Sequence, residues 1–154
     1  MDSLLRNRAL VFGSLLGSLL WAGAGPHANL SPDGKTPYVG ESDTREIWSY
    51  RIEGTRLLSP RLVTRFADFD IDGLRTDISA NLYVARILKG TIAVLSPTGK
   101  LQREIGLKAK EPTNLAFGGN DGKTVFVTQR QVDLSKRADR PGREFCFSGC
   151  VGPK

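Results

Sequence analysis

The chain has 154 residues, 40% hydrophobic and 25% charged, an ordinary globular balance that excludes a disordered or collagen-like polymer. Seventeen Gly and eight Pro favour a turn-rich all-β protein over a helical one. The net charge is +6, scattered apart from Arg130, Lys136, Arg137, Arg140 and Arg143; no aromatic residue lies within that stretch, and no nucleic-acid partner is expected.

In chain order, residues 1–25 come first and differ from the rest. Arg6 and Arg8 precede an apolar run from Ala9 to Trp21, and Ala22-Gly23-Ala24 follows with the small-x-small pattern of a cleavage site. This reads as a secretory leader, and it is short for a membrane span. An uncleaved anchor and an unrelated start to the chain are the alternatives. The protein is expected outside the cytoplasm if the leader operates, and in the cytoplasm otherwise.

From there the pattern is short strands separated by turn clusters. Strands are predicted at 36–40, 47–52, 61–66, 74–78, 82–87, 91–95, 101–105, 114–117, 125–129 and 132–134. Turns are predicted at Ser31-Pro32-Asp33-Gly34, Glu53-Gly54, Lys89-Gly90, Ser96-Pro97-Thr98-Gly99 and 118–122, each with Gly, Asn or Asp where a positive φ is needed. No helical period stands out after residue 30.

One phrase recurs. Asp33-Gly34-Lys35-Thr36-Pro37-Tyr38-Val39 returns as Asp121-Gly122-Lys123-Thr124-Val125-Phe126-Val127, with Asn81-Leu82-Tyr83-Val84 between them; Tyr38 to Tyr83 is 45 residues and Tyr83 to Phe126 is 43. Such a period in short strands reads as the blades of a β-propeller. The expected fold is all-β, a partial propeller of about three four-stranded blades over residues 26–145, with a tail at 146–154. Tyr38, Tyr83 and Phe126 are expected to pack between neighbouring blades. Closed propellers use about four to eight blades, so the set looks incomplete.

Cys146 and Cys150 would stand about 13 Å apart in an extended strand, too far for a disulfide. A tight turn at Ser148-Gly149 would bring them together. With no His or carboxylate beside them they make a poor metal site, and free tail thiols are expected.

The densest acidic cluster is Asp68, Asp70, Asp72 and Asp77. Its first three members are spaced like the opening of an EF-hand loop, but Ser79 stands at the twelfth position, where that loop requires Glu. Asp68 and Asp70 are therefore expected to be a solvated loop. Asp72-Gly73 is expected at the turn into an inner strand, where a carboxylate can point into a propeller channel.

In order and spacing, Leu30–Thr36, Asp72–Asp77, Asn81–Arg86, Lys89–Lys100, Pro112–Thr124 and Arg140–Glu144 resemble the C-terminal half of the senescence-marker-protein/gluconolactonase family, the regucalcin-like lactonases. The resemblance implies a six-bladed propeller and a metal-dependent hydrolase of sugar lactones or similar cyclic esters. It implies one divalent metal on the axis (calcium, zinc or manganese), held by a Glu, two Asn and an Asp. Asp72 matches that Asp and is implied both as metal ligand and as catalytic acid/base. One family Asn falls at Pro26, followed by His27-Ala28-Asn29, so Asn29 is the nearest substitute; His27 is expected at the surface. The Glu and the other Asn find no match here, so the chain is expected to be truncated. The alternative is a non-catalytic partial propeller that self-associates through exposed blade edges or binds a partner protein.

Overall fold

The structure, a computed structural model, describes residues 27–108 and 110–130 and the backbone of one further strand at 145–147. The leader, the strand predicted at 132–134, the basic stretch beyond Arg130, Cys150 and the side chain of Cys146 lie outside the described residues. Every regular element described is a strand.

Three antiparallel sheets form. The first contains β1 (His27–Leu30), β2 (Pro37–Glu41), β3 (Glu46–Glu53) and β4 (Arg56–Arg65) in sequence order; the second contains β5 (Ile71–Thr76), β6 (Leu82–Arg86), β7 (Thr91–Leu95) and β8 (Leu101–Gly106) in the same way. The third contains β9 (Pro112–Gly118), β10 (Thr124–Arg130) and β11 (Phe145–Phe147). The strands β1, β5 and β9 are the inner edges of their sheets and pack side by side. β4 and β8 are outer strands with mostly exposed residues.

Burial follows from this stacking. A strand covered on both faces loses the alternation of a half-buried one. All five residues of β6 are accordingly buried. One core lies between the first and second sheets, built on Tyr38, Ile47, Phe66, Ile71, Leu74, Leu82, Val84 and Leu95. A second lies between the second and third sheets, around Tyr83, Ile92, Val94, Leu115, Val125 and Val127. Tyr83 meets Phe117 edge-to-face at 5.0 Å between ring centroids.

Tyr38 and Tyr83 are thus buried between sheets, as expected. Phe126 is not: it is 42% exposed. It holds the corresponding place in the third sheet, and no described sheet packs on that side. The predicted strand 74–78 is also corrected. β5 starts at Ile71 and ends at Thr76, so Asp72-Gly73 lies inside the strand rather than at its entry turn, and Ile78 is 97% exposed. Asp77 ends the strand by accepting hydrogen bonds from the Ser79 and Asn81 backbone N–H groups, both at 2.9 Å. β4 begins five residues before the predicted start because Glu53 pairs directly with Arg56 across a tight hairpin. Pro60 is tolerated there because β4 is an outer edge.

One buried cation fixes how the second sheet follows the first. Arg86, at the end of β6, is 1% exposed. Its guanidinium lies 3.7 Å from the Phe66 ring centroid. It donates to the Asp68 carbonyl, to Asp68 Oδ1 at 2.8 Å and to the Phe69 carbonyl at 3.2 Å, and stands 3.5 Å from Glu104 Oε1. Asp68, expected to be merely solvated, is therefore one partner of a clip over the β4–β5 connection. Phe69 within that connection has a left-handed backbone, φ 43°. Arg86→Ala should lose about 2–4 kcal/mol, by leaving a cavity and removing the bonds to the Asp68 and Phe69 carbonyls. Arg86→Met, which keeps the volume, should lose less; urea unfolding of both variants measures the difference.

Candidate active site at one end of the inner strands

β1 and β5 run in the same direction, as their successive cross-contacts require. Near their starts, His27 of β1 meets Asp72 of β5, with Nε2 3.2 Å from Oδ1. Further along, the Thr76 backbone N–H donates to Asn29 Oδ1 at 3.1 Å, and the Thr76 hydroxyl donates to the Leu30 carbonyl at 2.7 Å. These bonds join β1 to β5. On the other side β5 meets β9 so closely that a Cβ at Gly73 would stand 2.7 Å from Asn114 Cα and 2.8 Å from its Cγ. No real Cβ sits so near backbone, so glycine here is a packing requirement.

Sequence register then assembles the rest. Arg130 ends β10, and its backbone N–H donates to the Glu111 carbonyl at 2.8 Å, just before β9 begins. The Glu111 carboxylate also accepts from Arg130 Nε. Asp72, His27, Asn114, Glu111 and Arg130 therefore gather at one end of the inner strands.

The Asp72 side chain is 22% exposed and that of His27 is 26%. Burial raises the Asp72 carboxyl above the usual carboxylate range; His27, the Gly73 backbone N–H and Arg130 pull it back only in part. Arg130 in turn is raised above its ordinary value, chiefly by its bond to Glu111. The His27–Asp72 contact lacks hydrogen-bond alignment, since Nε2 is buried without a bonded partner, so it acts as a close electrostatic contact.

The donor set can be tested against a divalent metal. Calcium takes six to eight oxygen ligands and magnesium six. Asp72 is the carboxylate free for this, since that of Glu111 is paired with Arg130, and His27 adds one nitrogen. Asn29 Oδ1 is committed to Thr76, and Asn114 Oδ1 accepts from the Leu115 N–H at 2.9 Å. Among the described residues, no group of three or more His, Cys, Asp and Glu could hold a metal ion. The described residues do not fit a hard divalent cation.

Sequence reasoning singled out Asp72 and passed over His27, Asn114, Glu111 and Arg130. The expectation that His27 is a surface residue is corrected: it is half-buried against Asp72. A signal was available, because His27 precedes Asp72 by 45 residues, the interval that also separates Tyr38 from Tyr83. Asn29, the nearest substitute for a metal-binding Asn, instead ties two strands together.

Fold and site together define an open segment of a β-propeller whose inner strands bring acid–base side chains to one end. Residues 28–131 match the SMP-30/Gluconolactonase/LRE-like region, and the chain belongs to that family. It is 31% identical over 128 residues to a 6-deoxy-6-sulfogluconolactonase of Pseudomonas putida, covering 79% of this chain and 42% of the relative. Among solved structures it is similar in fold to a calcium-binding regucalcin from Agrobacterium tumefaciens, with a TM-score of 0.65 and 19% identity over 84% of this chain and 47% of that one. A gluconolactonase from Xanthomonas campestris is similar in fold at a TM-score of 0.58 and 23% identity, over 68% of this chain and 34% of that one. The chain thus spans between one third and one half of the length of these relatives.

The raised Asp72 carboxyl has a stability consequence. The folded state holds this proton more tightly than the unfolded state, so the contribution is greatest at low pH and is lost as pH rises from the usual carboxylate value through the folded one. Asp72→Asn removes the buried charge. It should therefore melt above the wild type at pH 7, with the gap closing towards pH 3; thermal melts across that range are the check.

Proposed function

We propose that this chain carries the acid–base part of a hydrolase that opens sugar lactones. The observation that carries the reading is Asp72: a partly buried carboxylate with its proton affinity raised, on an inner strand of a lactonase-family propeller. A general base works best when its pKa lies near the working pH, and burial moves Asp72 that way. The substrate class follows from the relatives, which include a sulfogluconolactonase and a gluconolactonase.

In this reaction a water beside Asp72 loses a proton to the carboxylate as its oxygen bonds to the lactone carbonyl carbon and the C=O π pair moves to the carbonyl oxygen, from which it returns as the tetrahedral centre collapses. The ring C–O bond then breaks, and its electron pair goes to the ring oxygen. That oxygen takes the proton back from Asp72, and the product is the open hydroxy acid. His27 lies against Oδ1 and favours its charged form electrostatically. In the family a divalent metal is implied beside this Asp; the side chains described here fall short of a set that would hold it. With D-glucono-1,5-lactone, acid release should exceed the spontaneous rate, and Asp72→Asn should lower the catalysed part by about 100-fold or more. Equal rates for wild type and Asp72→Asn would refute the proposal.

A second reading is favoured by Phe126. Tyr38 and Tyr83 are buried by the next sheet, whereas Phe126 is 42% exposed. A second copy of this chain is the occupant proposed for that face, burying it without any catalytic role. Light scattering should then give an oligomer whose mass rises with concentration, and Phe126→Asp should return it to monomer. A wild-type monomer at all concentrations excludes this reading.

A further inference from the structure

We infer that Arg130 reads an anionic substituent, a sulfonate or phosphate, on the far end of the lactone that Asp72 opens. The inference rests on the lactonase reading of Asp72 and adds a specificity residue to it.

The geometry sets Arg130 beside the site without placing it in the chemistry. Its backbone is fixed where β10 meets the start of β9, through its N–H to the Glu111 carbonyl at 2.8 Å. β9 is the strand that lies against Gly73, next to Asp72. Asp72 and Arg130 feel each other's charge, yet among the described residues Arg130 forms its ion pair with Glu111, not with Asp72. Glu111 engages Nε. A guanidinium carries five N–H donors in a rigid fork, so Nε bonding leaves the outer edge with the donors suited to a tetrahedral oxyanion. The Arg130 side chain is 55% exposed and that of Glu111 is 15%. A cation open to solvent, held from behind by a more buried carboxylate, is pre-oriented for a ligand rather than buried for stability.

Position also separates the roles. His27 and Asp72 touch each other; Arg130 enters from the adjoining sheet. A ligand that spans the two places its reacting ester at Asp72 and its charged group at Arg130. A neutral sugar lactone leaves the Arg130 fork unused.

Calorimetry on the full chain with three open-chain acids tests this, since each is a stable product analogue: D-gluconate, 6-phosphogluconate and 6-deoxy-6-sulfogluconate. At least one of the two substituted acids should bind about tenfold or more tightly than gluconate, as a charge-assisted fork contact allows. Whichever of the two is preferred identifies the substituent. Arg130→Gln should abolish the preference, bringing the affinity for the substituted acids down to that for gluconate. Arg130→Lys should keep part of it, and added salt should weaken it. Equal affinity for all three acids overturns the inference and leaves the lactonase reading intact. A preference that survives in Arg130→Gln also overturns it. Binding of none of the three overturns both readings. Circular dichroism of the variants confirms that an exposed side chain was changed without loss of fold.

Discussion

The candidate site depends on a single buried guanidinium. Arg86 is on the second strand of its sheet, yet it reaches back over the connection from β4 to β5 and bonds the carbonyls of Asp68 and Phe69. Without that hold the connection has little reason to keep its path, since Phe69 is exposed and sits at a left-handed φ of 43°. Burying a cation is unfavourable unless charge and hydrogen bonds compensate; here Asp68, Glu104 and the Phe66 ring surround it. The compensation fixes the entry to β5 at Ile71, and Asp72 comes one residue later. A local electrostatic requirement is thus turned into the position of the candidate carboxylate.

Placement then passes from strand to strand. The Ser42 hydroxyl donates to the Ile71 carbonyl at 2.6 Å, tying the first sheet to the start of β5. Asn29 and Thr76 join β1 to β5 further along. At Gly73 the absence of a side chain lets β9 come against β5 and brings Asn114 in. The site is composite: each sheet contributes one or two side chains, and none of the sheets holds a site alone. This is the general economy of a propeller, in which the outer strands are scaffold and the inner ends carry chemistry.

How much of this could be read from sequence depended on how each segment is buried. β2, β6 and β7 were legible because they are nearly continuous apolar runs between turn residues, and Gly34, Gly90 and Gly99 take the positive φ values those turns need. β1 was missed because His27-Ala28-Asn29-Leu30 has neither alternation nor a strong apolar run; only its pairing with β2 makes it a strand. Asp72 was singled out through the resemblance of its motif to the family's. Of its neighbours, His27 was signalled only by the 45-residue repeat interval, and Arg130 reaches it from another sheet, at a separation that local pattern does not encode. Arg86 stood in plain view after Tyr83-Val84-Ala85, but nothing in the order of residues says that an arginine there is buried. Phe126 shows the limit from the other side: its sequence context is that of a core aromatic, and its exposure is decided by what packs against the third sheet.

The central claim is that the inner-strand ends of three sheets form one ligand site. The most direct measurement is a titration of the isotope-labelled chain with D-gluconate, followed amide by amide in nitrogen–proton NMR spectra. The account predicts saturable shifts concentrated at His27, Asp72, Gly73 and Asn114, on three different strands, with one common dissociation constant. Shifts confined to the outer strands β4 and β8, or different constants at the three inner strands, would contradict it.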